Sequence, residues 1–334
     1  MPQFLRAALA AILALVAAAA EAEELSIAGP GGPLAGTLMR PAPLTATVVI
    51  VPGSGPTDRD GNNPLGVTAA PYRLLAEALR ERGFGSLRFD KRGMFASKAA
   101  GADANAVTID DYAADVAGWV AAARQATGSE CVWLLGHSEG GLVALAAAPH
   151  TPGLCGIILV AAPGRPMGRL LREQLRANPA NAPILDQALT ALEALEAGRR
   201  VDTGPLPPPL KALFAEPVQD YLIDLLRRDP AALAADTRLP LLIVSGGRDI
   251  QVGPAEAAAL HAAQPAARLA VVPEMNHVLK DVGSADRAAN LAAYGDPARP
   301  VSPALIDAIA AFVRDARPPD SGARSPKTET AGGS

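Results

Sequence analysis

The segment Val132 to Ala148 constrains the architecture of this chain more than any other. An apolar run, Val132 to Leu135, predicts a short buried strand. A run of small residues, Leu142 to Ala148, predicts a helix that follows at once. Between them lies Gly136-His137-Ser138-Glu139-Gly140. A serine raised on so tight a strand-to-helix turn needs an unusual backbone, and side chains two residues to either side would strike neighbouring backbone. Gly136 and Gly140 remove those side chains. The pattern is that of a nucleophile elbow. It lifts the Ser138 hydroxyl to the carboxyl edge of a sheet, beside a helix N-terminus whose free N–H groups favour developing negative charge.

The rest of the chain alternates in the same way. Leu25–Ile27 and Ala35–Arg40 read as short strands around the turn Gly29 to Pro33, and Thr47–Val51 as a strand buried on both faces. A helix, Tyr72–Arg82, stops at Gly83, and a strand follows over Gly85–Phe89. The helix Asp110–Ala126, with Thr108 as N-cap, precedes the elbow. After it come strands at Ile157–Ala161, Leu241–Ser245 and Arg268–Val272, and helices at Pro254–Ala263 and Pro303–Arg314. Such alternation implies right-handed β-α-β crossovers, an α/β class and a mostly parallel sheet, with ligands at the carboxyl ends of its strands.

A serine hydroxyl needs a base, and the base needs an acid to orient it. His137 belongs to the elbow and is expected to point away from its neighbour's hydroxyl; His150 and His261 fall near helix ends. His277 lies just beyond the last strand and can hang over the carboxyl edge, which makes it the expected base. Asp249 follows Leu241–Ser245 through a glycine turn and is the expected acid. The order Ser138, Asp249, His277 is the one expected for such a sheet. An oxyanion hole needs two N–H donors, each worth roughly 3 kcal/mol of barrier. These are expected from the backbone of Glu139 and of Ser54, in the loop after Thr47–Val51. Asp58, Arg59 and Asp60 either line the pocket or pair among themselves.

Gly136-His137-Ser138-Glu139-Gly140, Gly246-x-x-Asp249 and Asn276-His277 together resemble the α/β-hydrolase superfamily. Val51 to Asn62 and Arg88-Phe89-Asp90-Lys91-Arg92-Gly93 are similar to its bacterial carboxylesterase branch, usually labelled serine-aminopeptidase-like. The resemblance runs from about Leu25 to Arg314. It implies a mostly parallel eight-stranded sheet flanked by helices, a helical cap after the sixth strand, and no metal or organic cofactor. In one departure, Gly93 is followed by Met94 and Phe95 where the family often reads Arg-Gly-x-Gly. The stretch Pro163–Arg238 exceeds any ordinary strand-to-helix link, and its leucines recur at helical spacing. The expected division is therefore a core over 23–162 and 239–316 with a cap over 163–238.

The ends and the charge complete the reading. Arg6, the apolar Ala7–Ala20 and A-x-A sites at Ala18–Ala20 and Ala20–Ala22 predict a signal peptide over 1–22, hence a periplasmic or secreted protein without stable membrane insertion. Export gives Cys131 and Cys155 meaning. Each precedes a strand, and if those strands are parallel neighbours the thiols share one end, away from Ser138, within reach of a disulfide. A net charge of −4 argues against nucleic acid as partner. A Pro/Ser/Gly/Thr-rich tail over 317–334 is expected to be disordered. The expected activity is hydrolysis of a small carboxylic ester, or a thioester, through an acyl-enzyme. The alternative on the same triad is an aminopeptidase or amidase, which needs a carboxylate cluster for the free amine; Glu193, Glu196, Glu216 and Asp220 do not obviously converge. A non-catalytic binding protein of the same fold would be expected to show a damaged triad, and none is visible.

Overall fold

The computed structural model describes residues 22–101 and 103–316. Eight strands form one sheet in the order β1-β2-β4-β3-β5-β6-β7-β8. They are β1 (Ala22–Ala28), β2 (Pro33–Met39), β3 (Ala46–Val51), β4 (Phe84–Phe89), β5 (Val132–His137), β6 (Leu154–Val160), β7 (Leu241–Gly246) and β8 (Arg268–Val272). β1 pairs antiparallel with β2, and β2 with β4; every other neighbouring pair is parallel.

The central strands read as continuous apolar runs because both faces of the sheet are covered. Alternate residues go to opposite layers, as the pleat requires. Val49, Leu134, Leu159 and Ile243 belong to one cluster, Ile50, Leu135, Ile158 and Val244 to the other. Helices α1 (Pro71–Glu81) and α11 (Pro303–Asp315) cover the second layer through Leu75, Leu79, Leu305 and Ile309. The first is covered by α2 (Ile109–Thr127), α3 (Glu139–Ala147) and α9 (Pro254–Ala263) through Trp119, Val120, Leu142 and Leu260. Thr108 caps α2 in a reciprocal box with Asp111, and Gly128 closes it at φ 69°.

Between β6 and β7 run α4 (Met167–Ala177), α5 (Leu185–Glu196), α6 (Pro208–Leu213), α7 (Gln219–Leu226) and α8 (Pro230–Asp236). Ala188, Leu192, Leu195, Leu210, Phe214 and Leu226 give this insert a core of its own. It is tied down at both ends. Asp224 on α7 accepts the Ile109 N–H at the start of α2 (2.8 Å), and buried Glu256 accepts the Gly164 and Arg165 N–H groups (2.9 Å each) where the insert begins.

The periodic elements fall within a few residues of their expected bounds, and α9 and β8 coincide with them. Differences concentrate where no side-chain periodicity exists. β1 begins at Ala22, a residue the sequence boundaries assign to the leader, because pairing with Met39 extends the strand. Helix α10 (Arg287–Ala292) lies in a segment too short and too polar to announce itself. The rest of the expected signal peptide, 1–21, and the whole of the expected tail, 317–334, lie outside the described residues. β5 and β6 are parallel neighbours, with Cys131 and Cys155 joined at their amino ends, Cα atoms 5.2 Å apart. Among the described residues no helix is long and apolar enough to cross a membrane.

Candidate active site

The site sits where β3, β5, β7 and β8 end. β5 runs straight into α3 through Ser138, whose backbone is at φ 54°, ψ −128°. A non-glycine residue there is strained by roughly 1–3 kcal/mol, which the surrounding packing must offset. The packing is tight. A Cβ on Gly136 would strike the Gly140 carbonyl, one on Gly140 the Val51 and Pro52 carbonyls, and one on Gly141 the Ala162 side chain. The elbow therefore needs glycine at 136 and 140 for the reason read from the sequence, and again at 141, which the five-residue pattern does not reach.

β7 delivers Asp249 and the loop after β8 delivers His277. His277 Nδ1 donates to Asp249 Oδ2 at 2.8 Å, and the Asp249 side chain is fully buried. The other carboxylate oxygen, Oδ1, accepts the N–H groups of Gln251 (2.7 Å) and Val252 (2.8 Å). The Asp249 loop is itself anchored: the Arg248 N–H donates to the Met275 carbonyl (2.9 Å) and Asn290 Nδ2 to the Arg248 carbonyl (2.6 Å). His277 rides a closed turn in which the Asn276 N–H meets the Lys280 carbonyl and Leu279 sits at φ 64°. Ser138, His277 and Ser54 line one cavity of about 110 Å³, which includes neither His150 nor His261.

The fourth histidine is engaged elsewhere, and its role is not visible in the sequence. His137 is buried. The Gly53 N–H donates to Tyr72 Oη (2.9 Å), and Tyr72 Oη lies 2.7 Å from His137 Nδ1. His137 Nε2 lies 2.9 Å from the His277 carbonyl. A carbonyl only accepts, so Nε2 carries the proton; Nδ1 then accepts from the tyrosine, and every donor in the chain is assigned. This chain joins the loop after β3, the elbow and the His277 loop. It requires a neutral imidazole, and burial, aided by the neighbouring His277, holds the His137 pKa down to about 3. The unfolded chain binds a proton here below about pH 6.5 and the folded chain does not, so stability falls as pH drops from there toward 3. Between pH 7 and 5 the wild type should lose about 2 kcal/mol more than His137→Gln, read from urea titrations at each pH. Equal slopes for the two proteins would show that His137 is not held neutral.

Of the two expected oxyanion donors, Ser54 lines the Ser138 cavity and Glu139 follows Ser138 directly at the start of α3. Among the described residues neither the Ser54 nor the Glu139 N–H has a hydrogen-bond partner. Gly53 passes so close to the elbow that a Cβ there would lie 3.3 Å from that of Ser138. Of the two readings open for Asp58, Arg59 and Asp60, the geometry places all three outside the Ser138 cavity, on a separate open pocket. Asp58 Oδ1 accepts the Asp60 and Asn62 N–H groups, Arg59 pairs with Asp90 and Glu24, and Asp60 pairs with Arg88. These residues brace the loop that carries Ser54. The departure after Gly93 is absorbed locally. Phe95, standing where the family pattern has glycine, adopts φ 45°, and the Ala96 N–H still reaches Asp90 Oδ2 (3.2 Å).

Comparison with known proteins agrees with this fold. The family model described as "Serine aminopeptidase, S33" matches residues 65–200. Esterase EstD of Thermotoga maritima is 30% identical over 211 residues, covering 61% of this chain and 47% of that protein, so the chain spans about half the length of this relative. Among solved structures, the α/β hydrolase GrgF of Penicillium sp. sh18 superposes with a TM-score of 0.54 at 18% identity, covering 77% of this chain and 91% of that one. An esterase of Pyrococcus furiosus superposes with a TM-score of 0.52 at 18% identity, covering 78% and 84%. By its sheet and by these superpositions the chain has the α/β-hydrolase fold, and its sequence is similar to a serine-aminopeptidase family model and to an esterase.

Proposed function

We propose that the protein hydrolyses carboxylic esters through a covalent acyl-enzyme. In this reading Ser138 Oγ attacks the ester carbonyl as its proton passes to His277 Nε2, while Asp249 stabilises the imidazolium through Nδ1. The tetrahedral oxyanion takes its hydrogen bonds from the Ser54 and Glu139 N–H groups. His277 returns the proton to the leaving alcohol, and water repeats the sequence to release the acid. The observation that carries the proposal is the His277–Asp249 hydrogen bond, which turns Nε2 away from the acid, in a residue that shares a cavity with Ser138.

Esters are favoured over N-terminal peptides by charge. A free α-ammonium group needs a carboxylate, and no Asp or Glu lines the Ser138 cavity among the described residues. Of the candidates in the insert, Glu196 pairs with Arg172 and Asp220 with Arg200. The family description is what keeps aminopeptidase activity as the second reading. The insert acts as the cap. A larger cavity, about 550 Å³, lies between α4 and the Asp249 loop, lined by Leu170, Leu171, Leu175 and Ile250. Gln251 borders both cavities, and Gln174 on α4 donates to its carbonyl (2.8 Å), so the insert is tied to the wall of the Ser138 cavity, and the larger cavity is where an acyl or thioacyl chain would extend. A panel of nitrophenyl esters of rising chain length, thioesters and aminoacyl-naphthylamides decides the class. Turnover of esters over naphthylamides by at least about a hundredfold in kcat/KM, some 3 kcal/mol, is expected; the reverse preference would install the aminopeptidase.

We further propose an exported protein that carries the Cys131–Cys155 disulfide in the periplasm or outside the cell. The support is the leader-like sequence of residues 1–22 and the pairing of the two cysteines. Intact mass of unreduced protein from the periplasmic fraction should show the leader removed and neither thiol alkylated. A full-length mass, or two alkylated thiols, would defeat the corresponding half of the proposal.

A further inference from the structure

Lys91 is a buried ammonium group beside the site that the reaction does not use. It is 5% exposed, it packs with Nζ 5.5 Å from the centre of the Tyr112 ring, and Nζ donates to the Gly53 carbonyl at 2.8 Å. Taking an ammonium ion out of water costs several kcal/mol, which a methionine of similar length would avoid. Burial accordingly pushes its pKa down, against the attraction of Glu139 at the start of α3. The topology explains how it reaches Gly53. β3 and β4 are parallel with Ile50 opposite Arg88, so three residues further on Gly53 falls opposite Lys91 at the shared carboxyl rim.

The Gly53 carbonyl and the Ser54 N–H belong to one peptide group. In a trans peptide the two point in opposite directions, and charge placed at the oxygen strengthens the dipole at the nitrogen. Tyr72 holds the preceding peptide by the Gly53 N–H, so both peptides flanking the Gly53 Cα are pinned from the protein side. We propose that Lys91 is a positioning residue that holds and polarises the Gly53–Ser54 peptide, so that the Ser54 N–H is aimed at the oxyanion. The inference rests on the proposed ester hydrolysis. It differs from a packing role, because it concerns an interaction that matters most when the carbonyl oxygen becomes charged.

Lys91→Met keeps the side-chain length and removes the charge. With a short-chain nitrophenyl ester, kcat should fall about 30- to 100-fold with KM within about twofold, the size expected for loss of much of one oxyanion donor. The second readout is the affinity of an alkylboronic acid, whose boron adds to Ser138 Oγ and presents a tetrahedral oxyanion. It should weaken in proportion to kcat/KM. Lys91→Arg should recover most of both losses, and Lys91→Gln, a neutral donor, should fall between. Wild-type kcat and boronate affinity in Lys91→Met overturn the inference, as does a fall in kcat with boronate affinity unchanged. Should the methionine variant not fold, the glutamine variant carries the test, and wild-type boronate affinity in it overturns the inference. A wild-type protein without Ser138-dependent ester turnover overturns the esterase reading and this inference together, whereas an active wild type with an unaffected Lys91→Met overturns this inference alone.

Discussion

Ser138→Ala is expected to lower kcat on a nitrophenyl ester by about a million-fold, leaving only the residual rate that binding and the oxyanion donors supply, while leaving the fold intact. The size follows from the absence of a substitute. Of the other hydroxyl residues that line the cavity, Ser54 belongs to the expected oxyanion loop and Tyr294 Oη accepts from Gln251 Nε2 (2.9 Å). Two are held tightly: Thr57 Oγ1 donates to the Ser54 carbonyl (2.8 Å) and Tyr72 Oη is held between Gly53 and His137. Neither can be freed without undoing the loop that carries the oxyanion donor. The small structural effect follows from the backbone. Alanine at φ 54° suffers the same strain that serine already does, and the Ser138 hydroxyl makes no hydrogen bond among the described residues that its loss would break. Melting temperature within about 3 °C of wild type, roughly 1 kcal/mol for a chain of this size, is the accompanying control. Loss of only tenfold, in protein free of wild-type contamination, would assign the nucleophile to another residue.

What the sequence disclosed, and what it hid, divides along physical lines. The sheet was legible because its central strands must be apolar on both faces, and the elbow because glycines packed on backbone admit no other residue. That Asp249 and His277 meet was legible for a related reason. A parallel sheet collects the ends of distant strands at one rim, so position relative to a strand end already restricts a residue's place in space. Tyr72, His137 and Lys91 were not legible as a group. Tyr72 only opens an expected helix, His137 is expected to point away from Ser138, and Lys91 stands within the motif Arg88 to Gly93 without a role of its own. Each acquires meaning only through a backbone atom of another segment: the Gly53 N–H, the His277 carbonyl and the Gly53 carbonyl. Side chain to backbone bonds over such separations leave no periodicity. The pair of readings for Asp58 to Asp60 stayed open for the same reason, since Arg88 and Asp90, which engage them, stand about thirty residues further along the chain.

Asp249→Asn should lower kcat by about ten thousand-fold although it replaces one oxygen with an NH₂ group. The argument lies in the other side of the carboxylate. Oδ1 accepts two backbone N–H groups, from Gln251 and Val252, so an asparagine must place its carbonyl oxygen there, because the opposite orientation would set an NH₂ against two donors. Its NH₂ group then occupies the position of Oδ2 and donates to His277 Nδ1. Nδ1 can accept only if it has no proton, which moves the imidazole proton to Nε2, the atom that should receive the proton of Ser138. The base is therefore blocked by its tautomer while the packing hardly changes. Turnover in this variant should become first order in hydroxide, since solution base must now do what His277 cannot. The variant should also keep the wild-type affinity for the product acid, which calorimetry would read. Retention of kcat within tenfold would mean that Asp249 does not set the orientation of His277, and that the hydrogen bond between them is structural.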